Sequence, residues 1–290
     1  MVAYSQAITE IIGRRFSCRG YDPRPIEPEL RDRLAEVLTA STKGPLGTGV
    51  RFELVSAGDN DLTVLKGLGT YGFIKGARGF IIGAVDQGDK DMEDYGYLLE
   101  RAVLFATDIG LGTCWLGGTF SKSNFSQTIA LKENETLPAV AAVGYVADKR
   151  RWFESFVRQT AGSDSRLPWE ELFFDGTFGT ALPVETCGQF ATPLEMVRLG
   201  PSAINKQPWR IIKDGTKWHF YLQRTRGYGS RNMALLKMAD MQRIDMGIAM
   251  CHFEFTLREM GLSGEWVLAE QSIEKPDKQT EYIVTWQQKI

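Results

Sequence analysis

The sequence predicts a mixed α+β protein in which one domain plan is written twice, with sheets covered by helices. Three observations point there. A gapless match recurs at an offset of 151 residues: Asp94-Tyr95-Gly96 returns as Asp245-Met246-Gly247, and Gly110-Leu111-Gly112-Thr113-Cys114-Trp115 as Gly261-Leu262-Ser263-Gly264-Glu265-Trp266. An earlier match, Val50-Arg51-Phe52 against Trp209-Arg210-Ile211, has an offset of 159. The drop between the two offsets makes the second copy about eight residues shorter there. Third, the helix–strand order itself repeats. Such self-similarity decides the architecture before any single element does. Two copies in one chain amount to a fused dimer, whose site can be built across a pseudo-two-fold axis. The expected halves are residues 1–160 and 161–290.

The elements follow in order. Residues 3–12 put Ala3, Ala7, Ile8, Ile11 and Ile12 on one helical face, and Gly13 reads as a stop. Arg14 to Arg19 form a polar connector, and Pro23, Pro25 and Pro28 lead into a helix over about 28–41 with a Leu30, Leu34, Val37, Leu38 stripe. Val50–Ser56 and Gly79–Val85 read as strands. Residues 91–109 read as a long helix with Leu98, Leu99, Ala102, Val103 and Ala106 inward, and Ala139–Val146 as a buried strand. Charged, irregular residues 147–170 form the expected junction. Then come a helix near 192–199, strands at 209–213 and 217–223, a helix at 241–260 and a strand at 281–286.

Composition narrows the function. A net charge of -2 and a pI near 5.9 argue against a nucleic-acid or polybasic membrane surface. No apolar run reaches the roughly 18–20 residues of a membrane span. Met1 to Arg15 carries Glu10 and polar residues where a signal peptide has its apolar core, so a cytoplasmic protein is expected. Cys18, Cys114, Cys187 and Cys251 form no C-x-x-C pair and read as reduced thiols. His219 and His252 are too far apart in sequence to announce a metal site.

Three segments carry candidate chemistry. Arg14-Arg15-Phe16-Ser17-Cys18-Arg19-Gly20-Tyr21 gathers cations and a hydroxyl in a few residues, which suits a phosphate because arginine offers a rigid fork of donors. A solvated basic helix end explains it as well. Gly200-Pro201-Ser202-Ala203-Ile204-Asn205-Lys206-Gln207-Pro208-Trp209 supplies neutral donors and acceptors on a stiff backbone, fit for the edge of a planar heterocycle. An ordinary helix-to-strand turn has the same residues. Gly110 to Gly118 follows a helix and so is no dinucleotide fingerprint. Gly117-Gly118 admits close backbone approach to a flat ligand, whereas Gly110 and Gly112 are accounted for by a helix C-cap and a tight turn into a strand.

Taken together, these segments resemble the nitroreductase-like FMN-dependent oxidoreductases. Arg15-x-Ser17-x-Arg19 with Tyr21 is similar to that family's R-x-S-x-R-x-[FY]. Gly110 to Gly118 is similar to G-L-G-T-x-W-x-G-G, and Arg166-Leu167-Pro168 with Glu170-Glu171 to a closing R-x-P-x-E-E. Pro201-Ser202-x-x-Asn205-x-Gln207-Pro208-Trp209 is similar to P-S-x-x-N-x-Q-P-W. Ordinary members carry all four motifs in one copy, and a homodimer builds each FMN site from both subunits. Here the Pro-Ser-Asn motif lies in the other copy from the arginine and Gly-Gly motifs. Its counterpart, Thr42 to Gly49, has lost the motif, and Leu167 to Val197 contains no Lys or Arg. One complete site is therefore expected in a monomeric pseudo-dimer.

The resemblance also implies roles. Arg15, Ser17 and Arg166 hold the FMN phosphate, with Phe16 beside them, and Arg19 reaches the N1/O2 end of the ring, where positive charge favours the reduced flavin. Pro201, Ser202, Ala203 and Asn205 cover the ring and ribityl chain, and Leu116, Gly117 and Gly118 line the far edge near N5. Lys75 stands close to a position where the family often has lysine. Cys18 and Cys114 read as small packed residues. The implied function is two-electron transfer from NAD(P)H through FMN to a small molecule such as a nitroaromatic, quinone or flavin, with no side-chain acid or base required. The alternative is a flavin-binding sensor or carrier with little turnover.

Overall fold

The computed structural model describes residues 3–58, 62–147, 165–226, 239–269 and 273–289. Its elements are α1 (Ile8–Arg14), α2 (Pro28–Thr39), β1 (Val50–Ser56), β2 (Gly79–Asp86), α3 (Asp91–Asp108), β3 (Gly112–Leu116), α4 (Lys122–Thr128), β4 (Glu135–Thr136) and β5 (Val140–Gly144). After them come β6 (Phe173–Asp175), α5 (Ala191–Arg198), β7 (Trp209–Asp214), β8 (Lys217–Gln223), α6 (Met241–Glu259), β9 (Gly264–Val267) and β10 (Thr280–Gln288). The first sheet runs β1-β2-β5-β3 with β4 beside β2, and the second runs β6-β7-β8-β10-β9. Leaving β4 and β6 aside, both sheets have one order: two consecutive strands, then the last, then the strand that follows the long helix. All pairings are antiparallel except β6 with β7.

The first helix corrects the sequence reading. It starts at Ile8 and runs through Gly13, so Ala3 and Ala7 lie outside it and are exposed. Gly13 is no stop because it keeps an ordinary helical backbone, and the helix ends at Arg15, which turns extended with φ -62° and ψ 135°. Ile8, Ile11 and Ile12 are buried as the stripe requires. Gly110 does adopt the left-handed C-cap conformation, at φ 84°. The junction cannot be followed whole, since 148–164 lies outside the described residues; Trp169–Glu171 form one 3-10 turn before β6.

Helices α3 and α6 cross at the centre. Along α3 every residue except Thr107 is buried, so the expected inward stripe widens to the whole circumference. Backbone meets backbone at two glycines. A Cβ on Gly96 would stand 2.2 Å from Ile244 O, and one on Gly247 would stand 2.0 Å from Glu93 O. Each glycine is the other's counterpart at offset 151, and so are Glu93 and Ile244, which makes the contact reciprocal. One hydrophobic cluster spans both halves, from Ile11, Leu34 and Leu99 to Leu194, Trp218 and Phe253.

Among the described residues no helix is long and apolar enough to cross a membrane. All four cysteines are buried. On the second sheet, buried His219 places Nδ1 2.7 Å from Thr285 Oγ1, which is 2.8 Å from Tyr282 OH. Its Nε2 is 3.7 Å from Asp214 Oδ2. Burial lowers the His219 pKa, against an opposing pull from Asp214. A base held neutral in the fold lets the unfolded chain take up the proton first. Stability is thus full above about pH 6.5 and is lost as pH falls below it. His219→Gln is expected to flatten that slope in urea unfolding between pH 7.5 and 5; an unchanged slope would place the linkage elsewhere.

Candidate functional site

The arginine segment is a strand-like edge. Ser17 bridges Thr113 in parallel and Cys18 N donates to Thr113 O at 2.8 Å, so residues 16–18 run alongside β3. Gly112 is needed there: a Cβ would lie 3.0 Å from Cys18 Cβ and 2.7 Å from a Val146 methyl. Further on, Lys75 N donates to Arg19 O and Tyr21 N to Lys75 O, both at 2.9 Å. Lys75 therefore stands beside Arg19. The 62–76 loop that carries it also ties to the segment after β3, where Ser121 N donates to Gly69 O at 2.9 Å. Tyr71 on this loop is 70% exposed with φ 49°, and Phe73 is 48% exposed.

At its far end β3 delivers Leu116, buried, then Gly117, half-buried, and Gly118, exposed. Gly117 abuts the start of α6, since a Cβ would stand 2.5 Å from Met241 Sδ. One turn on, Asp245 accepts Ala203 N at 3.0 and 3.1 Å. Burial raises the Asp245 carboxyl well above the usual range. Positions 241, 245 and 252 recur at i, i+4 and i+11 and so share one face of α6. That face carries Gly117, Ala203 and, through His252, the end of α5.

The Pro-Ser-Asn loop is strained. Ile204, Asn205 and Gln207 have φ of 52°, 53° and 47°. Left-handed backbone at non-glycine residues costs energy and persists only where surroundings over-determine it. Here Ser202 Oγ accepts Gln207 N at 2.8 Å, Gln207 Oε1 accepts Leu167 N at 2.9 Å, and Asn205 Nδ2 donates to Ser165 O at 2.9 Å. These bonds seat residues 165–167 on the loop and leave Ile204 78% exposed. Arg166 Nη2 donates to Leu199 O at 3.1 Å, at the end of α5.

Arg15 approaches the same end from the first half. Its side chain is 7% exposed and its Nε is 3.7 Å from Glu100 Oε1. Glu100 meets His252, and His252 Nδ1 donates to Met196 O at 2.8 Å. Arg166 thus bonds the carbonyl of residue 199 directly, whereas Arg15 connects to that of residue 196 only through Glu100 and His252. A cavity of about 580 Å³, in the range of ligand pockets, opens beside Arg14, Arg15, Phe16, Ile109, Gly112 and Thr113. Among the described residues no cluster of His, Cys, Asp and Glu is placed to hold a metal.

The structure brings two of the expected segments to α6, Leu116 to Gly118 at its first turn and Pro201 to Asn205 one turn later; Ser17 lies along β3, Arg19 beside Lys75, and Arg166 beneath the Pro-Ser-Asn loop. Ser202 and Asn205 are engaged in shaping the loop. Sequence reading passed over Met241, Asp245, Glu100 and His252. The pairing of Asp94 with Asp245 was visible at offset 151; nothing in the sequence joins Glu100 to His252.

The residues present suit a flat phosphorylated cofactor. Arg15 stands beside a cavity near the start of β3, a glycine pair follows the end of that strand, and α6 holds a loop with an exposed apolar tip on which Arg166 is seated. Residues 7–257 match the family model described as "Putative TM nitroreductase". The fold is similar to that of a "putative nitroreductase" of Thermotoga maritima MSB8, at 18% identity over 99% of this chain and 95% of that one, with a TM-score of 0.59. A nitroreductase family protein of Clostridium difficile 630 has 17% identity, covers 56% of this chain and 94% of its own, and has a TM-score of 0.42. A nitroreductase with bound FMN from Bacteroides fragilis NCTC 9343 has 19% identity, covers 51% and 92%, and has a TM-score of 0.38. No curated protein matches the sequence.

Proposed function

Because the chain belongs to the nitroreductase family, we propose that it is an FMN-dependent oxidoreductase carrying two electrons from NAD(P)H to a small acceptor such as a nitroaromatic, quinone or flavin. The observation that carries this reading is that Gly117 and the Pro-Ser-Asn loop meet successive turns of one face of α6, while the arginine segment runs along the strand that leads to Gly117. In it, Arg15, Ser17 and Arg166 bind the phosphate and Arg19, with Lys75 beside it, faces the pyrimidine end. Gly117 and Gly118 let backbone approach the ring edge. Bound FMN supplies the redox chemistry, by taking up and releasing hydride at N5. The protein orients it, and Tyr71, Phe73 and Ile204 offer exposed apolar surface beside the place where donor and acceptor alternate.

We also read the two halves as tandem copies forming an intrachain pseudo-dimer, divided near residue 160. Matching contacts support this. Asp94 accepts Leu46 N and Thr48 N at 2.8 and 2.7 Å, as Asp245 accepts Ala203 N. Arg101 Nη2 donates to Val37 O at 3.1 Å, as His252 does to Met196 O; 37 and 196 differ by the offset of 159. At the second copy's equivalent site, Leu268 and Ala269 stand where Gly117 and Gly118 would be. A monomer with one FMN, working in the cytoplasm, follows from this reading.

Counting released flavin against protein tests it, with a ratio near one expected. A ratio near two would mean that the degenerate site still binds, and a colourless protein would end the flavin reading. Bleaching of the flavin absorbance by NADH or NADPH, followed by recovery with a quinone, separates an enzyme from a sensor or carrier.

A further inference from the structure

We propose that Glu100 and His252 are positioning residues for Arg15: Glu100 holds the arginine by its Nε edge, and His252 neutralises Glu100 so that Arg15 keeps its charge for a phosphate. This rests on the reading of Arg15 as a phosphate ligand.

Glu100 is fully buried in α3, and three groups surround its carboxylate. Trp115 Nε1 donates to Oε2 at 2.8 Å, His252 Nε2 lies 2.9 Å from Oε1, and Arg15 Nε lies 3.7 Å from the same oxygen. Two of the three come from the first half and His252 comes from the second. The ring of His252 is fixed from its far side. Met196 O can only accept, so Nδ1 carries a hydrogen. At 2.9 Å an Nε2 lone pair facing a carboxylate lone pair would be repulsive. The contact therefore contains a proton. Whether that proton sits on nitrogen or oxygen, the Glu100–His252 pair has no net charge.

The consequence falls on Arg15. A buried carboxylate paired only with Arg15 would cancel its charge, and an incoming phosphate would meet a neutral pair. With His252 in place, Arg15 and its two neighbours together carry one positive charge. The carboxylate meanwhile takes only the Nε edge, beyond hydrogen-bond length, and leaves the two-pronged Nη end to grip an anion. Removing water from this buried setting strengthens the attraction.

At the pseudo-equivalent position the two long helices pack without such a pair. At offset 151 the counterparts of Glu100 and His252 are Cys251 and Arg101. Arg101 repeats the carbonyl contact, to Val37 O, and adds one to Ser41 Oγ at 2.8 Å. Buried Cys251 supplies no carboxylate. The neutralised acid thus accompanies only the side that has Arg15.

The test measures FMN and riboflavin dissociation constants on the full-length chain by flavin fluorescence, with urea unfolding as a control of folding. Arg15→Ala is expected to weaken FMN by ~10-fold or more and riboflavin little, the scale of a lost bond to a charged group. His252→Phe is expected to do the same, because Glu100 then neutralises Arg15. The double variant Glu100→Gln/His252→Phe regains FMN affinity, since no uncompensated carboxylate remains. His252→Gln, which can still bond Glu100 but brings no charge, carries the same expectation if the phenylalanine variant does not fold. Equal losses of FMN and riboflavin in the His252 variants, or no recovery in the double variant, would overturn the inference while leaving Arg15 as a ligand. Equal losses in Arg15→Ala would overturn the phosphate assignment and the inference with it.

Discussion

Gly247→Ala is expected to destabilise the protein by about 3 kcal/mol, at the upper end of what overpacking costs. Helix propensity predicts the opposite, a gain of about 1 kcal/mol for alanine over glycine within a helix. Geometry decides between them. The added Cβ would lie 2.0 Å from Glu93 O and 2.7 Å from Tyr97 N, and both are backbone atoms that cannot rotate away. Either α3 and α6 separate, losing packing along both, or the backbone distorts. Gly96→Ala meets Ile244 O in the same way and is expected to behave alike. Because the two sites share one contact, the double variant will not be additive. Gly13→Ala is the control: it is also helical, but a Cβ there meets nothing within 4 Å, so propensity acts alone and stabilises. Urea unfolding followed by tryptophan fluorescence measures all four. A Gly247→Ala protein as stable as the parent would mean that the helices do not approach this closely. The continuous core also implies a single transition for both halves.

Arg243→Met is expected to cost about 3 kcal/mol at pH 7, as breaking a buried ion pair does. Arg243 on α6 donates from Nε and Nη2 to the two oxygens of fully buried Glu93 on α3, at 2.9 and 2.6 Å. It also pairs with Asp91 at 3.2 Å and bonds Asp89 O. Burial raises the Glu93 carboxyl even with Arg243 pulling it down. Without the arginine only the upward push remains. A carboxyl whose folded value lies above its unfolded one stabilises at low pH, and that contribution is lost as pH rises through the folded value. The deficit of Arg243→Met relative to the parent should therefore shrink from pH 7 to pH 5. Glu93→Gln in the same background should recover much of it at neutral pH. A deficit that did not change with pH would rule out an uncompensated Glu93 as its cause.

Much of this molecule was legible in one dimension. Strands β1, β2, β7 and β8 and helices α2, α3, α5 and α6 lie within a few residues of where periodicity predicts them, because burial of one face or of a whole element leaves a pattern in the chain. Short pieces such as β4, β6, α4 and β9 left too few residues for a period to be read. The start of α1 was misplaced because Ala3 and Ala7 match the helical spacing without being buried. The segments of the candidate site were legible too, since Arg15, Gly117 and Asn205 lie in local runs that a motif can capture. Tertiary structure alone decided how those runs meet. Met241 and Asp245 collect two of them only because α6 presents both residues on one face. Glu100 and His252, 152 residues apart, touch only because Gly96 and Gly247 let two helices cross at backbone distance. Sequence patterns report which face of an element is buried; they do not report which buried polar group from the other half it will meet.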